Sequence, residues 1–101
     1  MGGGGSTSKQ IKGFTAYAPP SIWSAWTVIY NSSGEGSVEI KAEAIGDTHF
    51  IGQIEYYGPG GKKVVNFNSS RRITFGNSFA NVRVRFKGLP TGTTINGSVW
   101  S

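Results

Sequence analysis

The chain has 101 residues, enough for one domain with a modest core and too few for two. It contains no cysteine, which excludes a disulfide framework, a thiolate nucleophile and a thiolate metal site. No apolar run reaches the roughly 18–20 residues that a membrane helix needs, so we expect no transmembrane segment.

The first ten residues differ in composition from the rest of the chain. Residues 1–8 read MGGGGSTS, a sequence with large backbone freedom. We expect residues 1–10 to be a flexible tail and residues 11–101 to be a single β-sandwich domain. The opening is consistent with a native tail, with an added linker and with N-myristoylation at Gly2, and the sequence leaves these three readings open.

After the tail, apolar and polar residues alternate in short runs separated by Gly, Pro, Asn and Ser, which is typical of β-strands. We predict eight strands, in chain order near residues 13–18, 24–30, 37–44, 49–57, 63–67, 72–75, 81–87 and 93–100. Eight short strands in a chain of this length predict an all-β, antiparallel sandwich of the jelly-roll or immunoglobulin-like kind. A small closed barrel is the alternative.

The third and seventh predicted strands alternate regularly enough to assign their faces. In the third strand, apolar residues alternate with Glu39, Lys41 and Glu43. In the seventh strand, apolar residues alternate with arginine and lysine. The residues that this pattern places together in one core are Val38, Ile40, Val82, Val84 and Phe86.

Three other strands carry further assignments. Trp26 alternates with Val28 and Tyr30 in the second strand, and the pattern predicts that Trp26 is buried. The fourth and fifth strands are apolar on both sides at residues 50–51 and 64–65. We therefore expect these two strands to lie centrally or to form a buried contact with a partner.

Charge is distributed unevenly along the chain, which has a formal net charge of +5. All five acids lie between residues 35 and 55, whereas residues 56–101 contain seven bases and no acid. The predicted basic surface consists of Lys62, Lys63, Arg71, Arg72, Arg83, Arg85 and Lys87. The predicted acidic surface consists of Glu39 and Glu43. This distribution favours attraction to an anionic partner or between copies of the chain.

No catalytic residue, metal ligand or cofactor site is predicted. An acid–base enzyme needs titratable groups that converge, and His49 is the only histidine. Asp47 precedes it by two residues, but no serine stands in a nucleophile turn and residues 46–49 read as a turn leading into a strand. Glu39 and Glu43 lie about 13 Å apart along a strand, too far for the paired carboxylates of a glycosidase. We therefore expect a protein that is not an enzyme.

Self-assembly ranks first among the functions that the sequence favours. Complementary charges and the N-terminal tail would join copies into a homo-oligomer or filament, in an extracellular or surface-exposed setting. The alternative is a monomeric module that binds carbohydrate or an anionic surface, with Trp23 and Tyr57 as candidate stacking residues. Membranes, polyanions and single-stranded nucleic acid are such surfaces. Nucleic acid ranks lower because no strand interleaves bases with exposed aromatic residues.

Overall fold

The computed structural model describes residues 9–46 and 48–101, and eight β-strands account for most of them. The strands are β1 (Gln10–Ala18), β2 (Thr27–Ser33), β3 (Gly36–Ala44), β4 (His49–Gly58), β5 (Gly61–Phe67), β6 (Ser70–Phe75), β7 (Phe79–Leu89) and β8 (Thr93–Trp100). All eight predicted strands are present, with ends displaced by a few residues. Nowhere in the described ranges is there a helix long and apolar enough to cross a membrane.

The strands form two four-stranded antiparallel sheets, packed face to face. The first sheet has the order β1-β8-β3-β6 and the second has the order β2-β7-β4-β5. The pairs β1–β8, β2–β7, β3–β6 and β4–β5 are nested, as if one long hairpin had been wrapped into two layers. This is the jelly-roll arrangement, so the predicted sandwich is confirmed. The alternative of a closed barrel is wrong, because no pairing among the described strands joins the sheet edges.

The sandwich begins earlier in the chain than the sequence predicts. β1 starts at Gln10, and Lys9 exchanges two backbone hydrogen bonds with Ser101, of 3.3 and 2.9 Å. Lys9 and Gln10, predicted as part of the tail, therefore belong to the first sheet or its margin. The remainder of the predicted tail, residues 1–8, lies outside the described residues.

The core lies between the sheets and is centred on Phe86. The five predicted core residues are each at most 2% exposed, which confirms the face assignments in β3 and β7. Around Phe86 lie the rings of Phe14, Phe50 and Phe67, with centroid separations of 6.4, 5.8 and 5.8 Å. Such aromatic pairs contribute about 0.5–1.5 kcal/mol each beyond the area that they bury.

A β-bulge in β2 determines which side chains of this strand face outwards. Val28 and Tyr30 pair with consecutive residues of β7, so Ile29 is the extra residue. Ile29 is fully buried, and the neighbouring Tyr30 also packs against the core. Counting alternate residues back from the inward-facing Tyr30 would place Val28 and Trp26 on the inner face. Because the bulge adds one residue, they lie on the outer face instead. The prediction that Trp26 is buried in phase with Tyr30 is therefore wrong, and Trp26 lies half-buried on the outer face.

The two strands predicted to be central differ in position. β4 lies inside the second sheet, whereas β5 forms its edge. In β5, Val65 packs against the core while Val64 is 49% exposed, because the pleat sends adjacent residues to opposite sides. The prediction of a central position is right for β4 and wrong for β5, and a partner contact at β5 stays a prediction.

Candidate functional site

The outer face of the second sheet carries alternating cationic and aromatic side chains. The guanidinium carbon of Arg85 lies 4.7 Å from the ring centroid of Trp23 and 4.6 Å from that of Trp26. Lys87 Nζ lies 4.8 Å from the Trp23 centroid, and Arg83 Cζ lies 5.6 Å from the Trp26 centroid. The five side chains follow one another in the order Lys87, Trp23, Arg85, Trp26, Arg83. We call them the cation–aromatic ladder; contacts of this kind contribute about 0.5–1 kcal/mol each at exposed positions.

Backbone contacts place the two tryptophans over β7. Ser24 N donates to Phe86 O at 2.9 Å, and Phe86 N donates to Ser24 Oγ at 3.1 Å. Ser24 thus occupies a strand-like position beside the buried Phe86. Its neighbour Trp23 and the nearby Trp26 lie over the residues that flank Phe86 on the outer face. The connection between β1 and β2 is therefore held against the sheet at the ladder.

A row of uncharged acceptors and donors extends the ladder across the sheet. Gln53 of β4 lies opposite Arg85 of β7 on one side and Asn66 of β5 on the other. Arg85 Nε donates to Gln53 Oε1 at 2.8 Å, and Gln53 Nε2 donates to Asn66 Oδ1 at 3.1 Å. The row fixes the orientation of the Arg85 guanidinium and of both amides at the surface of the sheet.

A second row, of charged side chains, runs parallel to the row formed by Arg85, Gln53 and Asn66. Arg83 Nε donates to Glu55 Oε1 at 2.7 Å, and Lys62 Nζ lies 3.4 Å from Glu55 Oε2. Burial of the Glu55 carboxyl alone would raise its pKa, but the hydrogen bond and charge of Arg83, with a smaller contribution from Lys62, outweigh burial and hold that pKa below its ordinary value. Glu55 is therefore a carboxylate at neutral pH, and it neutralises one of the cations on this face.

A shallow depression lies at the end of the charged row. Its volume is about 200 Å³. It is lined by Glu55, Tyr56, Tyr57, Lys62, Ala80, Asn81 and Arg83. The ring of Tyr57, 41% exposed, stands beside a carboxylate, an amide and two cations. The depression thus offers hydrogen-bond donors and acceptors to a small polar group together with a ring on which the group can stack.

The structure divides the seven residues of the predicted basic surface. Four lie on the outer face of the second sheet: Lys62, Arg83, Arg85 and Lys87. Lys63 points to the other side of β5, where its side chain lies against Gly58. Arg71 and Arg72 belong to β6, in the first sheet. With Glu55 counted against the four cations, the outer face of the second sheet carries a net charge of +3.

The predicted acidic surface lies on the outer face of the first sheet. Glu39 and Glu43 alternate with Lys41 along β3, and Arg72 of β6 is the register partner of Glu39. Lys41 Nζ lies 4.4 Å from the ring centroid of Trp100. Two carboxylates thus share this face with two cations, and the local charge sums to zero. The outer face of the second sheet is therefore positively charged, whereas the outer face of the first sheet is neutral and not negatively charged.

The two predicted stacking residues occupy different places on the site. Trp23 is half-buried between the cations of the ladder, and Tyr57 borders the depression. Three further residues of the site, Gln53, Glu55 and Asn66, were not predicted from the sequence. The alternation in β4 would have placed Gln53, Glu55 and Tyr57 on one face, because side chains two residues apart share a side of a strand. Trp26 was assigned to the core because the sequence gives no sign of the bulge.

The one histidine contributes nothing to this site. His49 lies exposed at the start of β4. Asp47, the residue considered with His49 as a possible acid–base pair, lies outside the described residues. Within residues 9–46 and 48–101, no group of three or more His, Cys, Asp or Glu side chains is placed to hold a metal ion.

Comparisons with known proteins identify no family for the chain. No protein-family model matches it, and no curated protein matches it. Among solved structures, the chain is similar to the crystal structure of PirA, at 15% identity and a TM-score of 0.47. That similarity covers 90% of this chain and 95% of the PirA chain. A similarity at this level supports no conclusion about function.

Proposed function

We propose that the protein is a non-enzymatic module that binds acidic carbohydrate on the outer face of its second sheet. The observation that carries the proposal is the cation–aromatic ladder, which holds arginine and lysine groups on a surface of net charge +3. Guanidinium groups held in this way suit the carboxylate or sulfate groups of a glycan. The proposal assigns no catalytic role to any residue of the site.

The polar groups between the cations favour a sugar over a polyphosphate. Glu55 stands inside the basic face, where its carboxylate is an acceptor for the hydroxyl groups that a sugar carries and a polyphosphate lacks. Asn81 and Asn66 supply amides of the kind that pair with sugar hydroxyls. Arg85 already lies over both tryptophan rings, whereas Tyr57 is exposed beside the depression and can stack on a sugar there. Nucleic acid is the less favoured anion for these reasons.

The proposed setting follows from the class of ligand. Acidic glycans occur on cell surfaces and in the extracellular space, which agrees with the extracellular or surface-exposed setting expected together with self-assembly. Self-assembly through charge-complementary surfaces stays a prediction, since Glu39 and Glu43 share their face with Lys41 and Arg72 and present no excess of negative charge.

Binding measurements with matched variants test the proposal. Titration calorimetry with a sulfated glycan, with polygalacturonate and with neutral dextran should show binding to the two acidic polymers alone. The double variant Arg85→Gln/Lys87→Gln should weaken that binding by about tenfold or more, because hydrogen bonds to charged groups are among the strongest polar contacts. Tyr57→Ala should weaken it further through loss of the stacking ring.

The control is Arg71→Gln/Arg72→Gln, which removes the same formal charge from the other sheet. This variant should keep most of the affinity. Equal losses in the two double variants would mean that net charge alone attracts the polymer. Tighter binding of single-stranded DNA than of a glycan of equal charge would contradict the carbohydrate assignment and favour nucleic acid.

A further inference from the structure

One end of the sandwich places exposed apolar side chains beyond the ladder. Ile22 of the β1–β2 connection is 63% exposed, and Leu89 at the end of β7 is 40% exposed. The two segments are fastened together, because Ser21 N donates to Gly88 O at 3.0 Å and Ser21 Oγ donates to Pro90 O at 3.3 Å. Ile22 and Leu89, with the exposed Pro20 and Pro90, form what we call the apolar tip.

The outward side chains of β7 change character in order towards this tip. Over the second half of the strand, Arg83 and Arg85 are followed by Lys87, and Leu89 is last. Residues two apart on a strand are separated by about 7 Å, so the Lys87 position lies about 7 Å and the Arg85 position about 14 Å behind that of Leu89. In the neighbouring connection Trp23 precedes Ile22 towards the tip in the same way. Towards the tip, the outward groups thus change from cations that contact an aromatic ring to apolar side chains.

We propose that the apolar tip inserts shallowly into membranes that contain anionic lipid, an activity separate from carbohydrate binding. Side chains that lie in the membrane interface penetrate about 5–10 Å to the boundary of the acyl chains. When Ile22 and Leu89 have penetrated to that depth, Lys87 lies at the level of the lipid phosphates. The Trp23 ring, which lies between Lys87 and Arg85, is then in the interfacial region, where tryptophan is enriched in membrane proteins.

The charge of the adjoining face identifies a lipid surface as the occupant. Two apolar side chains bury too little area to hold the protein on a neutral membrane, whereas each base near an anionic surface adds about 1 kcal/mol. The face behind the tip carries the net charge of +3 described above, and Lys87 and Arg85 are the cations of that face next to the tip. Binding therefore requires both the apolar tip and anionic headgroups.

Cosedimentation with vesicles tests this inference. The full chain should bind phosphatidylcholine vesicles that contain phosphatidylserine and not vesicles of phosphatidylcholine alone. The double variant Ile22→Gln/Leu89→Gln should lose about tenfold or more in affinity, through lost burial of the two side chains. It should keep its affinity for the acidic glycan, so that failure of the membrane site and failure of the carbohydrate site are distinguishable.

Phe79→Gln is the matched control, because Phe79 is 80% exposed at the opposite end of β7. This variant should bind vesicles as the unaltered chain does. An equal loss in the control, an unchanged affinity in the double variant, or no binding by the unaltered chain would overturn the inference. Tryptophan fluorescence of the unaltered chain gives a readout that needs no variant: lipids with brominated acyl chains should quench it, and absence of quenching would also overturn the inference.

Discussion

The ring of Phe14 occupies the space in which a side chain at Gly97 would lie. The two residues are register partners in β1 and β8, and a Cβ built on Gly97 would overlap the ring. From this position Phe14 reaches Phe86, at a centroid separation of 6.4 Å. The absence of a side chain at Gly97 is therefore a packing requirement of the core.

Gly97→Ala should destabilise the protein by about 1–3 kcal/mol, the usual cost of overpacking a well-filled core. Urea unfolding followed by far-UV circular dichroism measures the loss. Gly13→Ala is the control on the same strand pair, because its Cβ would find Gln10 Nε2 at 3.4 Å, an ordinary contact. The control should change the free energy of unfolding by no more than about 0.5 kcal/mol. Equal losses would mean that any substitution on these strands is costly.

Val84→Ala should cost about 1–3 kcal/mol, because Val84 is fully buried and its truncation removes apolar contacts and leaves a cavity. Val64→Ala makes the same chemical change on the outer side of the edge strand β5, at a residue that is 49% exposed. Its cost should be less than half as large. Urea denaturation of the two variants compares them directly. A near-zero cost at Val84 would contradict the assignment of faces in β7.

The strands and the core could be predicted from the sequence because each depends on local patterns. Val38 and Val84 alternate with charged neighbours, and a one-residue slip would expose them. The ladder could not be predicted in the same way. Trp26 reaches the outer face because Ile29 is an extra residue in β2, and the contact of Arg85 with Gln53 depends on the register between strands far apart in the chain. Bulges and long-range registers are set by tertiary packing.

Glu55→Gln should reduce stability in a pH-dependent way. Since the pKa of Glu55 is lower in the folded chain than its ordinary value of 4.5, its ionisation stabilises the fold above that value. As pH falls through the lowered pKa, Glu55 is protonated and this contribution is lost. The difference in unfolding free energy between the unaltered chain and the variant should be largest at neutral pH and should shrink in acid.

Urea unfolding from pH 7 downwards measures this difference. In an Arg83→Gln background the pH-dependent part of the difference should decrease, because Arg83 is the principal group that lowers the pKa. An unchanged pH dependence in that background would contradict the assignment to Arg83.

The assembly hypothesis makes a prediction about size in solution. If copies attract through complementary charges, Glu39→Lys/Glu43→Lys should weaken self-association as much as Arg83→Glu/Arg85→Glu does, and combining the reversals should partly restore it. Sedimentation velocity at low and high salt measures the association, which screening should weaken. A chain that stays monomeric at high concentration in low salt would contradict the hypothesis.

The nested strand pairing brings Lys9 and Ser101 side by side, joined by two backbone hydrogen bonds. With residues 1–8 removed, a short Gly-Ser linker from Ser101 to Lys9 would close the chain into a ring without displacing β1 or β8. New termini opened between Pro59 and Gly60, in the exposed turn between β4 and β5, would leave every strand pair intact. A circular permutant of this design should therefore retain the fold and the ladder, and the same proximity suits the sandwich for insertion into a surface loop of a carrier protein.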